Sequence, residues 1–428
     1  MFFDLNYFFA MKVAAPLGRI ANYFFVILLV FIAFRALTTS TKRWFWYPPL
    51  LLLLFASVGS FPVVANTFIA WQGIQTVLSY CVLAVATAMY VRSPQASVPI
   101  IAMMGVRFLW WAMWGGTNGR VGWDPYTNNP DDFGGLMVQG AALCFWFGLA
   151  ARVRWQRWLM FALSLYSILG VVSSLARGAF LALVAVTLVV WLRSHRKLAT
   201  GAGILAGVLV VVLAANILVD SGAQAQVRRD RSGTFWEMIM STFEEGTESG
   251  TGAHRMSLWT AAVKVWQSHP VFGVGPGNFG VYASQFFQPG EIEGFENPAI
   301  FWGLNVHSAY FQILSEFGVV GAAAFIWLMV DFVRKNRALR RPDAIARWAA
   351  LGMSDKLDLR SLSLALESAV LAIALVNAIY SAFLQPWWFT LWVLNRTLWG
   401  LACAPAESRH ATMRFMRRGS VRQRRLTA

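Results

Sequence analysis

The sequence predicts an all-α, polytopic membrane protein with about 11–12 transmembrane helices and one long external loop that contains short helices. Three observations carry this expectation. Hydrophobic residues make up 57% of the 428 and charged residues only 13%, with a mean hydropathy of +0.53, more apolar surface than a soluble globule of this size needs. Runs such as Leu50–Phe55, Val208–Leu213 and Leu366–Leu375 lie inside apolar stretches of about 20 residues, enough to cross a hydrocarbon core of about 30 Å. Backbone polar groups in lipid must be satisfied within a helix or a closed barrel, and these lengths fit helices.

In chain order the expected spans are 19–37, 44–63, 67–90, 95–114, 133–151, 155–174, 176–192, 198–219, 307–333, 362–384 and 387–404. Basic residues fall in alternate connections, from Arg35, Lys42 and Arg43 through Arg152, Arg154 and Arg157 to the tail arginines between Arg409 and Arg425. These connections hold 25 of the 36 lysines and arginines, which assigns them to the cytoplasm. The net charge of +16 therefore reads as topology and attraction to anionic membrane lipids, not as nucleic-acid binding. Met1–Gly18 is apolar but short, carries Asp4 and Lys12, and lacks a convincing cleavage site; it reads as an interfacial or partial helix. If it crosses, the eleven spans become twelve. Cys81, Cys144 and Cys403 stand alone in apolar spans, so neither a disulfide framework nor a CxxC metal site is expected.

Four regions follow: a helix bundle over 1–219, a large external loop over 220–306, C-terminal helices over 307–404 and a basic cytoplasmic tail over 405–428. The loop holds nine acids against five bases, opposite in character to the cytoplasmic connections. Within it, Thr234–Phe243 and Arg255–Gln267 have helical spacing. In the second, Leu258, Ala262, Val265 and Trp266 share one face, which suits a helix lying on the membrane surface. Phe272–Gly280 packs four glycines and a proline into nine residues and should be a tight turn. A smaller external loop, Gly115–Asp132, carries Trp123 and Tyr126, which read as an interfacial aromatic belt.

Known reaction signatures are absent: there is no Walker loop, no HExxH helix and no Asp-x-Asp pair for a metal-bound nucleotide sugar. Gly273-x-Gly275-x-Gly277 lacks the preceding strand of a dinucleotide fingerprint. These absences argue against a cytosolic donor and a soluble energy source, and the reading carries no metal and no cofactor. Three basic side chains stand out instead. Arg177 opens a span at its external end, where a snorkelling anchor and a guanidinium fork gripping phosphate are equal readings. Arg255 opens the loop helix just after Gly250 and Gly252, where a solvated face competes with an anion site. His307 lies at the water–lipid boundary, placed for proton transfer near neutral pH. Glu316, nine residues further along the same expected helix, is an intramembrane acid that would orient or pair with a neighbour. His254 and Asn305 are supporting candidates beside these.

Taken together, the motifs resemble a known family. Ser174-Leu-Ala-Arg177-Gly-Ala-Phe-Leu-Ala is similar to an arginine-bearing helix of the O-antigen ligase and polymerase superfamily. Arg255-Met-Ser-Leu-Trp259, His269-Pro-Val-Phe-Gly-Val-Gly-Pro-Gly-Asn-Phe279 and His307-Ser-Ala-Tyr-Phe-Gln-Ile-Leu-Ser-Glu-Phe-Gly318 resemble its loop and C-terminal signatures. Asn129-Pro-Asp-Asp-Phe-Gly134 is similar to a weaker motif, with Asp131 and Ser308 standing where asparagine is frequent. The resemblance covers about residues 120–330. It implies an enzyme of the bacterial inner membrane that takes a glycan from an undecaprenyl diphosphate carrier at the periplasmic face, without a metal and with inversion. In the ligases the acceptor is a lipid A–core sugar hydroxyl; polymerases and protein O-oligosaccharyltransferases differ in the acceptor. The resemblance makes His307 the base or orienting group and Arg177 and Arg255 the diphosphate ligands. A lipid-linked substrate transporter is the alternative from another class, with Arg107 and Arg396 as its intramembrane charges.

Overall fold

The computed structural model describes residues 47–91, 130–220, 250–287 and 301–403, apart from 175, 195–196, 302, 354–356 and 382, together with a few isolated positions. Most of the expected spans 19–37 and 95–114, the loop Gly115–Asp132 up to residue 129, the helix Thr234–Phe243 and the tail 405–428 lie outside the described residues; residues 130–132 open a helix instead. What is described is helical, with one isolated bridge between Ala151 and Leu357.

The helices run as α1 (Pro48–Gly59), α2 (Thr67–Tyr90), α3 (Pro130–Ala150), α4 (Arg154–Ser174), α5 (Arg177–Arg193) and α6 (Lys197–Asp220). They continue as α7 (Gly250–Ser268), α8 (Phe279–Ala283), α9 (Ala309–Leu339), α10 (Pro342–Ala350), α11 (Leu359–Val376) and α12 (Pro386–Ala402). Four segments among the described residues are long and apolar enough to cross a membrane: Thr67–Tyr90, Phe133–Ala150, Ala309–Leu339 and Leu359–Val376. Helices α4, α5, α6 and α12 lie where further spans are expected.

Local chemistry sets several boundaries. Asn66 caps α2 by accepting the Ile69 N–H at 3.1 Å, and Asp358 caps α11 by accepting the Ser361 N–H at 2.8 Å. Prolines open α1, α10 and α12, where the missing N–H costs nothing. The core is aromatic where α9, α11 and α12 meet: the Phe325 ring stands edge-on to Phe383, Trp388 and Trp392. Polar ties stitch the same helices together. Asn336 donates to the Ser363 carbonyl at 3.0 Å and accepts from Asn395 at 3.1 Å, all three residues buried. Phe68, Trp158 and Leu205 are largely exposed, as side chains facing lipid would be.

The bundle has two unlike ends. At one, Arg193 and Arg340 both pair with Glu367, and Arg347 donates to the Cys403 carbonyl. At the other lie the α1–α2 turn, the starts of α3 and α5, the turn after α11, and the described part of the long loop.

One expectation about α9 changes. The sequence reads as one helix from His307; the structure starts it at Ala309 and interrupts it at Gly318, whose φ of 62° and ψ of −163° suit glycine alone. The loop repairs that interruption. The freed carbonyls of Ser315 and Glu316 accept the Val274 and Gly275 N–H groups at 3.0 and 2.9 Å. The Val319 and Val320 N–H groups donate in turn to the Pro270 and Val271 carbonyls at 2.9 and 3.2 Å. A break in an apolar helix persists only when its backbone groups find other partners, and here the glycine-rich turn supplies all four.

Candidate active site

The loop is packed onto the bundle rather than laid on a membrane surface. The α7 face of Leu258, Ala261, Ala262 and Val265 is buried against Val274, Phe279, Ala283, Phe301 and Val306. That apolar stripe was expected to meet lipid; protein covers it instead, because the turn and α8 fold back beneath it. The helix also starts at Gly250, so Arg255 stands in its second turn and not at the anion-binding N-terminus the sequence implied.

Three glycines of the turn, Gly273, Gly275 and Gly277, have positive φ. A Cβ on Gly273 would stand 2.4 Å from the Glu316 carbonyl carbon, so the two backbones touch only because that side chain is missing. Glu316 is 3% exposed; its carboxylate receives the Gln312 amide at 3.1 Å and the backbone N–H groups of Gly277 and Phe279. Its place is therefore inside the loop–helix junction. Asn278, fully buried, completes the anchor: its Oδ1 accepts the Asn66 N–H at 2.7 Å and its amide donates to the Pro276 carbonyl at 3.0 Å.

This anchored loop carries α7 to His307. The Trp259 ring stacks on Phe311 with 5.3 Å between centroids, and its indole N–H donates to the His307 carbonyl at 3.4 Å. His307 lies outside the helix with φ at 55°, the one non-glycine residue with positive φ among those described. Such backbone is costly for a residue with a Cβ and is held by its surroundings. Here Ser308 N–H donates to Ser381 Oγ at 3.1 Å, and Ala309 N–H is shared by the Asn377 and Tyr380 carbonyls at 2.9 Å. The Tyr380 ring lies 6.4 Å from the imidazole, centroid to centroid.

Electrically the position is cationic and partly dry. Burial, then the charges of Arg255 and His254, hold the His307 imidazole well below its ordinary 6.5, at about 4. Its Nδ1 is buried with no hydrogen-bond partner among the described residues. The side chain is thus neutral at pH 7 with an open acceptor or donor position.

Arg177 is placed through its neighbour. It is the first residue of α5, and its neighbour Gly178 is pressed so close to Ile379 that a Cβ would stand 1.9 Å from Cδ1. Ile379 belongs to the turn whose carbonyls hold Ala309. The start of α5 and the His307 segment therefore meet across one turn, 377–380. Asn305 is exposed two residues before His307. The structure brings His307, Arg255 and His254 into one electrostatic neighbourhood, sets the start of α5, which carries Arg177, against the turn that supports His307, and places Glu316 in the loop–helix junction. Sequence reasoning missed Tyr380 and Ser381, which have no motif to mark them, and gave no role to Asn278, although it lies inside the quoted 269–279 motif. The left-handed backbone at His307 also has no sequence signal.

These features define a helical membrane protein with a cationic, histidine-containing site at one end of its bundle. Residues 162–326 match the family model described as Wzy_C, O-antigen ligase. The matched segment includes Arg177, Arg255, His307 and Glu316. No curated protein matches the chain. The family match supports the O-antigen ligase superfamily that the motifs resemble, and with it a bacterial membrane glycosyltransferase of the ligase or polymerase type. Lipid-linked glycan and a lipid acceptor are the general substrate classes of such a protein. Among the described residues no group of three or more His, Cys, Asp or Glu is arranged to hold a metal ion.

Proposed function

We propose that the protein transfers a glycan from undecaprenyl diphosphate to a lipid A–core sugar hydroxyl at the periplasmic face of the inner membrane, with inversion and without a metal. The observation that carries the reading is a neutral, part-buried His307 beside Arg255 and His254, within the segment that matches the ligase family.

The acceptor oxygen attacks the anomeric carbon, its proton passes to the His307 imidazole, and the bond from that carbon to the carrier phosphate breaks. Charge grows on the departing diphosphate, and Arg255 and Arg177 stabilise it as it develops, with little reorganisation in a partly dry site. An imidazole held near 4 is a weak base by itself. A bound diphosphate changes that: its negative charge offsets Arg255 and His254 and raises the imidazole's proton affinity, so the donor primes the base. The activated bond arrives with the donor, and no nucleotide is consumed.

The test is purified protein with undecaprenyl-diphosphate glycan and lipid A–core in detergent. Release of carrier diphosphate with a new glycosidic bond on the core supports the reading. Extension of a second carrier-linked glycan would make the protein a polymerase, and transfer to a protein hydroxyl an O-oligosaccharyltransferase. Movement of intact donor across vesicles without bond formation would make it a transporter.

A further inference from the structure

A small cavity of about 20 Å³, room for about one water-sized group, lies between α3, the end of α11 and the start of α12. Gly135, Gln139, Asn377, Tyr380 and Trp387 are among its walls. Two of these belong to the His307 support: the Asn377 and Tyr380 carbonyls hold Ala309, and the Tyr380 and imidazole rings meet edge to face. Gln139 is only 2% exposed, and its Oε1 finds no hydrogen-bond partner among the described residues. A buried acceptor left unsatisfied is costly, so such a group in a mostly apolar wall calls for a donor that arrives from outside. Asn377 does not supply it: its amide donates to the Ile373 carbonyl at 2.9 Å, and Gln139 Oε1 stays without a partner among the described residues. Gly135 keeps the wall open: a Cβ there would stand 2.7 Å from Val376 Cγ1.

We infer that this cavity is a hydroxyl subsite in which Gln139 accepts a hydrogen bond from one sugar hydroxyl of the glycan undergoing transfer or of its acceptor. The inference rests on the transferase reading above and adds a residue outside the segment that matches the family. Size selects a single small group, and the unsatisfied Gln139 acceptor favours a hydroxyl over a methyl, which could not donate to it. The shared Tyr380 then ties recognition of that hydroxyl to the seat of His307, which makes Gln139 a specificity-determining residue and not a catalytic one.

The test compares wild type with Gln139→Met, which keeps the volume and removes the acceptor, and Gln139→Glu, which keeps an oxygen. Transfer kinetics are read with undecaprenyl-diphosphate glycan and lipid A–core varied separately, beside thermal melting in detergent without substrate. The expected result for Gln139→Met is a KM raised about tenfold for one of the two substrates, with kcat within about twofold and Tm unchanged or higher. Gln139→Glu should recover part of the loss. Which KM rises tells whether donor or acceptor supplies the hydroxyl. A KM within twofold of wild type for both substrates overturns the inference, and a lower Tm beside it would show a resident water as the partner. If Gln139→Met fails to fold, deoxy analogues of both glycans on the wild-type protein decide: undiminished affinity across the series overturns it. Absence of any transfer by wild type would bring down the transferase reading and this inference together, whereas transfer with unaltered KM values removes the inference alone.

Discussion

His307 combines three properties that pull in one direction. Its backbone is left-handed, its ring is partly dry, and two basic groups stand close enough to disfavour its protonated form. Replacing it with glycine would relieve the backbone while removing the imidazole. His307→Gly is expected to melt no lower than His307→Ala in detergent, by roughly 1 kcal/mol of relieved backbone strain, with transfer abolished in both. A variant retaining wild-type turnover would remove His307 from the chemistry. The pH dependence has a definite sign. The folded imidazole titrates at about 4 against 6.5 for the ordinary group, so between these values the unfolded chain binds more protons. Stability is therefore full above about 6.5 and falls as pH drops towards 4, and His307→Ala should remove that slope from a series of melts. Because Arg255 is one of the causes, Arg255→Ala should move the acidic limb of kcat/KM upward from about 4 towards 6.5 and weaken donor use. Arg255→Lys should keep the limb low while only partly restoring donor use, since an ammonium lacks the fork. An acidic limb that stays put in the alanine variant would separate Arg255 from His307.

Among the elements, the broken α9 and the turn inserted at its break act as one unit. Four backbone groups freed at Gly318 are satisfied by the turn, and Asn278 ties that turn to the start of α2. Gly318→Ala would set a Cβ 2.3 Å from the Val271 carbonyl oxygen in a conformation suited to glycine alone. The expected cost is about 2–3 kcal/mol, read as a lower Tm, with loss of transfer because the loop helix that carries Arg255 is seated on this junction. Gly203→Ala is the control, since nothing lies within 4 Å of its Cβ. Equal melting of the two variants would mean that the break is not held by the turn. The periodicity of the loop helix is legible in the sequence, but its partner is not. An apolar stripe of this kind satisfies lipid and protein equally well, and only the fold of Phe279 and Val306 beneath it decides between them.

On the scale of the whole molecule, basic groups gather at one end of the bundle and the His307 site at the other, consistent with a cytoplasmic and an external face. Met256 on α7 and Ile345 on α10 are 44% and 37% exposed. In a background without Cys81, Cys144 and Cys403, Met256→Cys should react with an impermeant maleimide on intact spheroplasts, and Ile345→Cys only after permeabilisation. Reaction of Ile345→Cys first would invert the topology and remove the site from the periplasmic face.

The sequence by itself determined the class. Apolar runs of membrane length, the asymmetry of arginine and lysine, and the ordered motifs around Arg177, Arg255 and His307 are local or additive quantities that survive without coordinates. Only the tertiary structure decided that α9 is interrupted, that the glycine turn fills the interruption, that Gln139 and Tyr380 line one cavity, and that Arg255 and His254 bear on His307. Each of these depends on residues far apart in the chain meeting at contact distance. Chain pattern records which groups must be buried or paired, while the identity of the partner is fixed only when the helices pack.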